Sequence, residues 1–187
     1  MKLISVDQSL SSCALTYWID GVPVDKEIIS TVRAETKNKK KHSLVFSRVT
    51  SQIAYVSNSI VDRINSFEAD AFVCEGVAAG SFGNQKGFLI TLFQDINDAI
   101  LDNSILTKDK VFSYSPTTVK SFARGFLPIE EQTVDGKKLK MQKNHMVRAC
   151  ELVAPKGWLD GYTLAAGRAD YADSFWIGYK YLKEKTK

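Results

Sequence analysis

The chain is poor in the residues that build thiolate and disulfide frameworks. Its 187 residues hold three cysteines, an odd number spread over Cys13, Cys74 and Cys150, and two histidines. There is no Cys-x-x-Cys pair, which excludes a structural zinc site and a disulfide scaffold. Each cysteine lies in an apolar stretch, as a small core residue of a reducing compartment would. No apolar run approaches the roughly 18 residues of a membrane span. No secretory or transit pattern stands before the first strand-like segment, so the expected location is cytoplasmic. The glycines at positions 76, 80, 83 and 87 do not form the Gly-x-x-x-x-Gly-Lys-Ser/Thr arrangement, so the usual phosphate-cradling loop is missing too.

What is present has the size and composition of one globular domain, with 44% hydrophobic and 25% charged residues. The net charge of +4 is clustered. One block is Lys37-Asn-Lys-Lys-Lys41-His42, and a second holds Lys137, Lys138, Lys140, Lys143 and Arg148. Such blocks read either as solvated surface or as a patch for a polyanion, and both readings stay open on charge alone.

Hydrophobic periodicity orders the elements. Residues 3–6, 13–19 and 24–32 predict three strands in an antiparallel meander, with Asp20-Gly21 turning the second into the third. Val45, Val49, Ile53, Val56, Ile60, Ile64 and Phe67 recur at spacings of three and four and predict one long amphipathic helix. A strand over residues 71–74 follows, then the glycine-containing loop, then a helix with Leu89, Leu92, Phe93, Ile96 and Ile100 on one side. That stripe reads as core or as a subunit interface. Residues 111–114 predict a fifth strand, because Ser115-Pro116 after it is a helix start. A short helix then ends at Gly125, residues 126–136 read as an exposed loop, 139–153 as helix, 155–167 as irregular, and a last helix starts near Arg168. The expected architecture is α/β, a five-stranded mixed sheet flanked by helices. This element order is that of the ribonuclease H-like fold.

Acids stand where that order would gather them. Asp7 closes the first strand, Glu75 closes the strand at 71–74, and Asp170 and Asp173 share a face of the last helix through their spacing of three. Carboxylates beside buried strands are costly, and a converging set is stabilised by hard divalent cations such as Mg2+. Helix N-terminal acids interacting with the macrodipole account for one of the last pair, but poorly for two plus Asp7 and Glu75.

These residues resemble the RuvC-type Holliday-junction resolvases over almost the whole chain. Asp7-Gln-Ser-Leu10 is similar to the segment of the family's first catalytic aspartate, and Cys74-Glu75-Gly-Val77 to that of its strand-ending glutamate. Val119-Lys120 and Lys140-Met-Gln-Lys-Asn-His-Met-Val-Arg148 resemble two lysine-bearing segments. Arg168-Ala-Asp170-Tyr-Ala-Asp173-Ser resembles the closing acidic motif. Departures are Ser9 where a glycine is common and Ala78 where bacterial members carry an aromatic, which leaves Phe82 or Phe88 as the base-unstacking wedge. The rival reading of Phe82 is a core-anchoring aromatic. The departures suggest a divergent member, such as a bacteriophage protein.

The resemblance implies a metal-dependent endodeoxyribonuclease that nicks four-way DNA junctions symmetrically as a homodimer. Asp7, Glu75, Asp170 and Asp173 would hold two Mg2+ ions, with Mn2+ substituting, and Lys120 and Lys140 would neutralise the scissile phosphate. For Lys120 a plain solvent-facing role is the alternative. Phe82, Lys86, Lys137, Lys138, Lys143 and Arg148 are the expected DNA contacts, and His145 is read as a packing residue or a phosphate contact. Rival readings are a ribonuclease H-like nuclease acting on flaps, three-way branches or RNA/DNA hybrids, and a junction-binding protein without catalysis. An actin-like kinase is disfavoured because the chain is too short for a duplicated domain.

Overall fold

The computed structural model describes residues 1–36, 43–77 and 84–186. The Lys37–Lys41 block, Ala78, Gly80, Phe82 and Gly83 lie outside the described residues.

The first three strands form the expected meander: β1 (Lys2–Asp7), β2 (Ser12–Ile19) and β3 (Val22–Arg33). The turn between β2 and β3 has Asp20 at φ 49° and Gly21 at φ 83°, the pair of positive values that a two-residue hairpin loop requires. Among the described residues the sheet has six strands, not the expected five. The extra strand is β4 (Leu44–Phe46), which pairs in parallel with β3 through Val32 and Val45. Val45 therefore belongs to a strand. The long helix, α1 (Val49–Phe67), begins after it, and Arg48 in extended conformation blocks the helix from reaching further back. The remaining strands are β5 (Ala71–Glu75) and β6 (Val111–Tyr114), giving the order β4-β3-β2-β1-β5-β6 with β1, β5 and β6 parallel.

Alternation along the strands assigns the two faces. Ile4, Val6, Leu15, Phe72 and Cys74 pack under α1 and α2 (Asn84–Asn103). Gly87, expected in a loop, sits within α2. Leu92, Ile96 and Ile100 of α2 are core residues, whereas Phe88 and Leu89 nearer its start remain 40% and 39% exposed. On the opposite face Leu3, Ala14, Trp18, Ala71 and Val73 pack under α3 (Pro116–Arg124), α4 (Lys143–Val153) and α5 (Arg168–Lys185).

Two expectations between α3 and α5 are corrected. Residues 126–136 are not a plain exposed loop: Leu127 is buried, and β7 (Thr133–Val134) pairs with β8 (Lys137–Lys138) as a separate hairpin. Asp135-Gly136 turns it with φ 51° and 70°, the same device as Asp20-Gly21. Residues 139–142 are not helical. Gln142 is extended at φ −109°, and its N–H donates to His145 Nδ1 at 3.1 Å, which starts α4 at Lys143. His145 thus closes a helix end.

Helix α5 lies unusually close to the sheet. Ser5 Oγ donates to the Ser174 carbonyl (2.8 Å), Thr16 Oγ1 and Ser174 Oγ share a hydrogen bond (2.8 Å), and Trp18 Nε1 donates to Ser5 Oγ (2.8 Å). The approach depends on Gly178, where a Cβ would stand 2.4 Å from Trp18 Nε1 and 2.5 Å from Ser5 Oγ.

Candidate active site

The parallel register of β1 on β5 runs from Leu3↔Ala71 to Val6↔Cys74, so the next residue on each strand, Asp7 and Glu75, emerges at the same sheet end. Strand parity turns both toward α5: Asp7 follows Leu3 and Ser5 by steps of two, and Glu75 follows Ala71 and Val73. The Gln8 side-chain amide donates to the Glu75 carbonyl and ties the two strand ends together past the last ladder pair. From the helix side, Ser174 holds α5 to β1 and β2, which brings Asp173 and Asp170 over the same end.

The four acids feel one another. Burial, followed by the negative charges of Asp173, Glu75 and Asp170, pushes the Asp7 carboxyl well above the usual carboxylate range. Asp173 is raised to about 7, first by burial and then by Glu75 and Asp170. Glu75 is raised by burial, with Lys120 acting against the shift. Asp170 is better compensated. Ser12 Oγ donates to its Oδ2 at 2.7 Å, and Lys143 Nζ lies 3.7 Å from its Oδ1.

All four expected acids are therefore brought together. Lys120, on α3, is exposed and lowers the pKa of both Glu75 and Asp173. Lys143, expected among the DNA contacts, sits at the pocket itself, beside Asp170. Lys140 is exposed and, among the described residues, forms no ion pair with the acids. Lys137 and Lys138 are exposed on β8, and Arg148 pairs with Glu131 at 3.5 Å. Lys86 falls in the first turn of α2, and Phe82 lies outside the described residues.

Sequence reasoning missed Ser12 and Gln8. Ser12 was within reach of the alternation rule, because it shares a strand face with Ala14, Thr16 and Trp18, all on the α5 side. Gln8 gave no comparable signal.

The donor chemistry fits a hard divalent cation. It consists of carboxylate oxygens, and Asp173 Oδ1 is turned inward with neither solvent nor a hydrogen-bond partner. As they stand, the carboxylates do not form a closed cage: among the described residues no three Asp, Glu, His or Cys side chains are grouped tightly enough to hold an ion.

A mixed sheet with helices on both faces and acids at the ends of its central parallel strands defines the class of structure: a ribonuclease H-like fold. Solved structures it is similar to include junction resolvases. Thermus thermophilus RuvC in complex with a Holliday junction substrate matches with a TM-score of 0.63 at 10% identity, over 100% of this chain and 96% of that one. The yeast mitochondrial Holliday junction resolvase Ydc2 matches with a TM-score of 0.64 at 12% identity, over 98% of this chain and 78% of that one. The fowlpox virus resolvase, in complex with substrate Holliday junction DNA, matches with a TM-score of 0.52 at 13% identity, over the full length of both chains. No protein-family model matches the sequence, and no curated protein matches it. Among the described residues, no helix is long and apolar enough to cross a membrane.

Proposed function

We propose that the chain is a structure-selective endodeoxyribonuclease that resolves four-way DNA junctions by symmetric nicking, acting as a homodimer on branched DNA. The observation that carries this reading is the delivery of Asp7 and Glu75 by adjacent parallel strands to the sheet face on which Asp170 and Asp173 arrive. The fold it shares with three junction resolvases supports the choice of substrate.

Asp7, Glu75, Asp170 and Asp173 are the residues that would hold Mg2+, two ions per site, with Mn2+ able to substitute. When bound, paired ions supply an activated water and charge stabilisation at the departing 3′ oxygen, which leaves 5′-phosphate and 3′-hydroxyl ends. The protein's own contribution is electrostatic and positional. Lys120 stands by Glu75 and Asp173, and Lys143 stands by Asp170, so the pocket is flanked by ammonium groups on two sides. Each offers a point charge to a phosphate that four carboxylates would otherwise repel. Ser12 and Gln8 fix the helix acid and the strand ends against that repulsion. Two like-polarity cuts need two pockets, and a two-fold dimer provides them. Phe88 and Leu89 of α2, 40% and 39% exposed, offer apolar surface for such pairing.

The test is cleavage of end-labelled synthetic four-way junctions, forks and RNA/DNA hybrids, with Mg2+ and with chelator. Paired, symmetry-related nicks in junctions that require the cation are expected. Preferential cutting of hybrids, or no cutting of any substrate, would end this reading.

A further inference from the structure

The hairpin of β7 and β8 is mounted firmly yet contributes nothing to the core. At its base Leu139 N–H donates to the Gln132 carbonyl (2.8 Å), Gln132 Nε2 to the Leu127 carbonyl (2.8 Å) and Arg124 Nη1 to the Leu139 carbonyl (3.2 Å). Leu127 and Met141 are buried beneath it. Thr133, Val134, Lys137 and Lys138 themselves are all exposed.

Its register determines where the charges point. Val134 pairs with Lys137, and Thr133 with Lys138. Directly opposed residues share a face of a ribbon, and successive residues alternate. Lys137 and Lys138 therefore point to opposite faces. A ribbon laid on a flat anionic surface brings only one of these ammonium groups to bear, whereas a ribbon inserted between two anionic walls uses both. The major groove of duplex DNA is such a space, about 12 Å wide and able to admit a two-stranded ribbon.

The hairpin is also close to the acids. Lys143 Nζ lies 3.7 Å from Asp170 Oδ1. The five residue steps from Lys138 to Lys143 span at most about 18 Å, which is about five base-pair rises of roughly 3.4 Å.

We propose that the β7–β8 hairpin is a DNA-reading ribbon that enters the major groove of a duplex arm near the cut, with Lys137 and Lys138 each engaging one of the two phosphate walls. The proposal rests on the nuclease reading above. On the Lys137 face, Val134 is 55% exposed and offers apolar surface of the kind that meets a thymine methyl. Asp135 at the tip is there for the turn, where an Asp or Asn before glycine is favoured, and its charge opposes binding.

The experiment measures the junction dissociation constant as a function of salt for the wild type, Lys137→Ala, Lys138→Ala, the double variant and Asp135→Asn. Each single lysine change is expected to lower the slope of log affinity against log salt by about 0.9, and the double by about 1.8. Asp135→Asn keeps the turn and is expected to tighten binding at every salt concentration. Melting curves should be unchanged, because the altered side chains are exposed. Slopes that fall for only one lysine, or for neither, overturn the ribbon while leaving the nuclease intact, provided the wild type binds and nicks junctions. A wild type that does neither removes both readings.

Discussion

At the scale of single residues, the pocket is a set of carboxylates held in mutual repulsion. Asp7→Asn removes the acid whose pKa is raised by burial and by three neighbouring acids. This variant should bind junctions at least as tightly as the wild type and fail to nick them, as gel-shift and cleavage assays on the same substrate would show. Asp173 allows the sign of the pH dependence to be worked out. Its folded pKa of about 7 exceeds the ordinary aspartate value of 3.8, so between those values the folded state binds more protons than the unfolded state. Stability from this group is then present at low pH and lost as pH rises through that window, by on the order of a few kcal/mol. With chelator present, Asp173→Asn should therefore gain stability relative to the wild type from about pH 4 to about pH 7 and level off above. Denaturant titrations across that range check it, and a flat difference would contradict the burial and charge crowding described. The lysines separate in the same spirit. Lys120→Ala should slow nicking at saturating junction by on the order of a hundredfold, the usual cost of losing one preorganised charge at a reacting centre. Lys140→Ala, which touches none of the acids, should weaken binding with little change in that rate.

At the scale of elements, α5 decides whether the site exists. A methyl group at position 178 would collide with Trp18 and with Ser5, the residue that anchors the Ser174 carbonyl. Gly178→Ala should cost about 1–3 kcal/mol of stability through overpacking. It should also reduce nicking, because Asp170 and Asp173 ride on the displaced helix; a calorimetric melt together with a cleavage rate tests both. The acids, their strand ends and the helix that carries the last pair were all legible in the sequence, because each sits at a boundary marked by a change of periodicity. The close seating of α5 was not, since Gly178 in a helical pattern reads only as a weak former and its partner Trp18 is 160 residues away. The β4 strand was hidden because Val45 fits the three-and-four spacing of the helix that follows, and only its pairing with Val32 separates the two. The β7–β8 hairpin was readable in principle: Asp135-Gly136 carries the same signal that placed the turn at Asp20-Gly21, but its strands are two residues long and show no alternation to attract notice.

At the scale of the whole molecule, the two faces of the sheet have different tasks. The α5 face carries the acids and their ammonium neighbours, whereas the α1–α2 face is a core with Phe88 and Leu89 partly exposed near the start of α2. If those two side chains form the dimer contact, Leu89→Glu should shift sedimentation toward the monomer and turn paired nicks into single, uncoordinated ones. A dimer that persists would place the contact elsewhere.

The seating of α5 has a consequence for the protein's own synthesis. Asp7 is made more than 160 residues before Asp173, so the four acids cannot meet until the helix that carries the last pair has been translated and has docked. A chain that stops short of α5 has only the strand half of the acid cluster, so the proposed activity would be withheld until that helix is made.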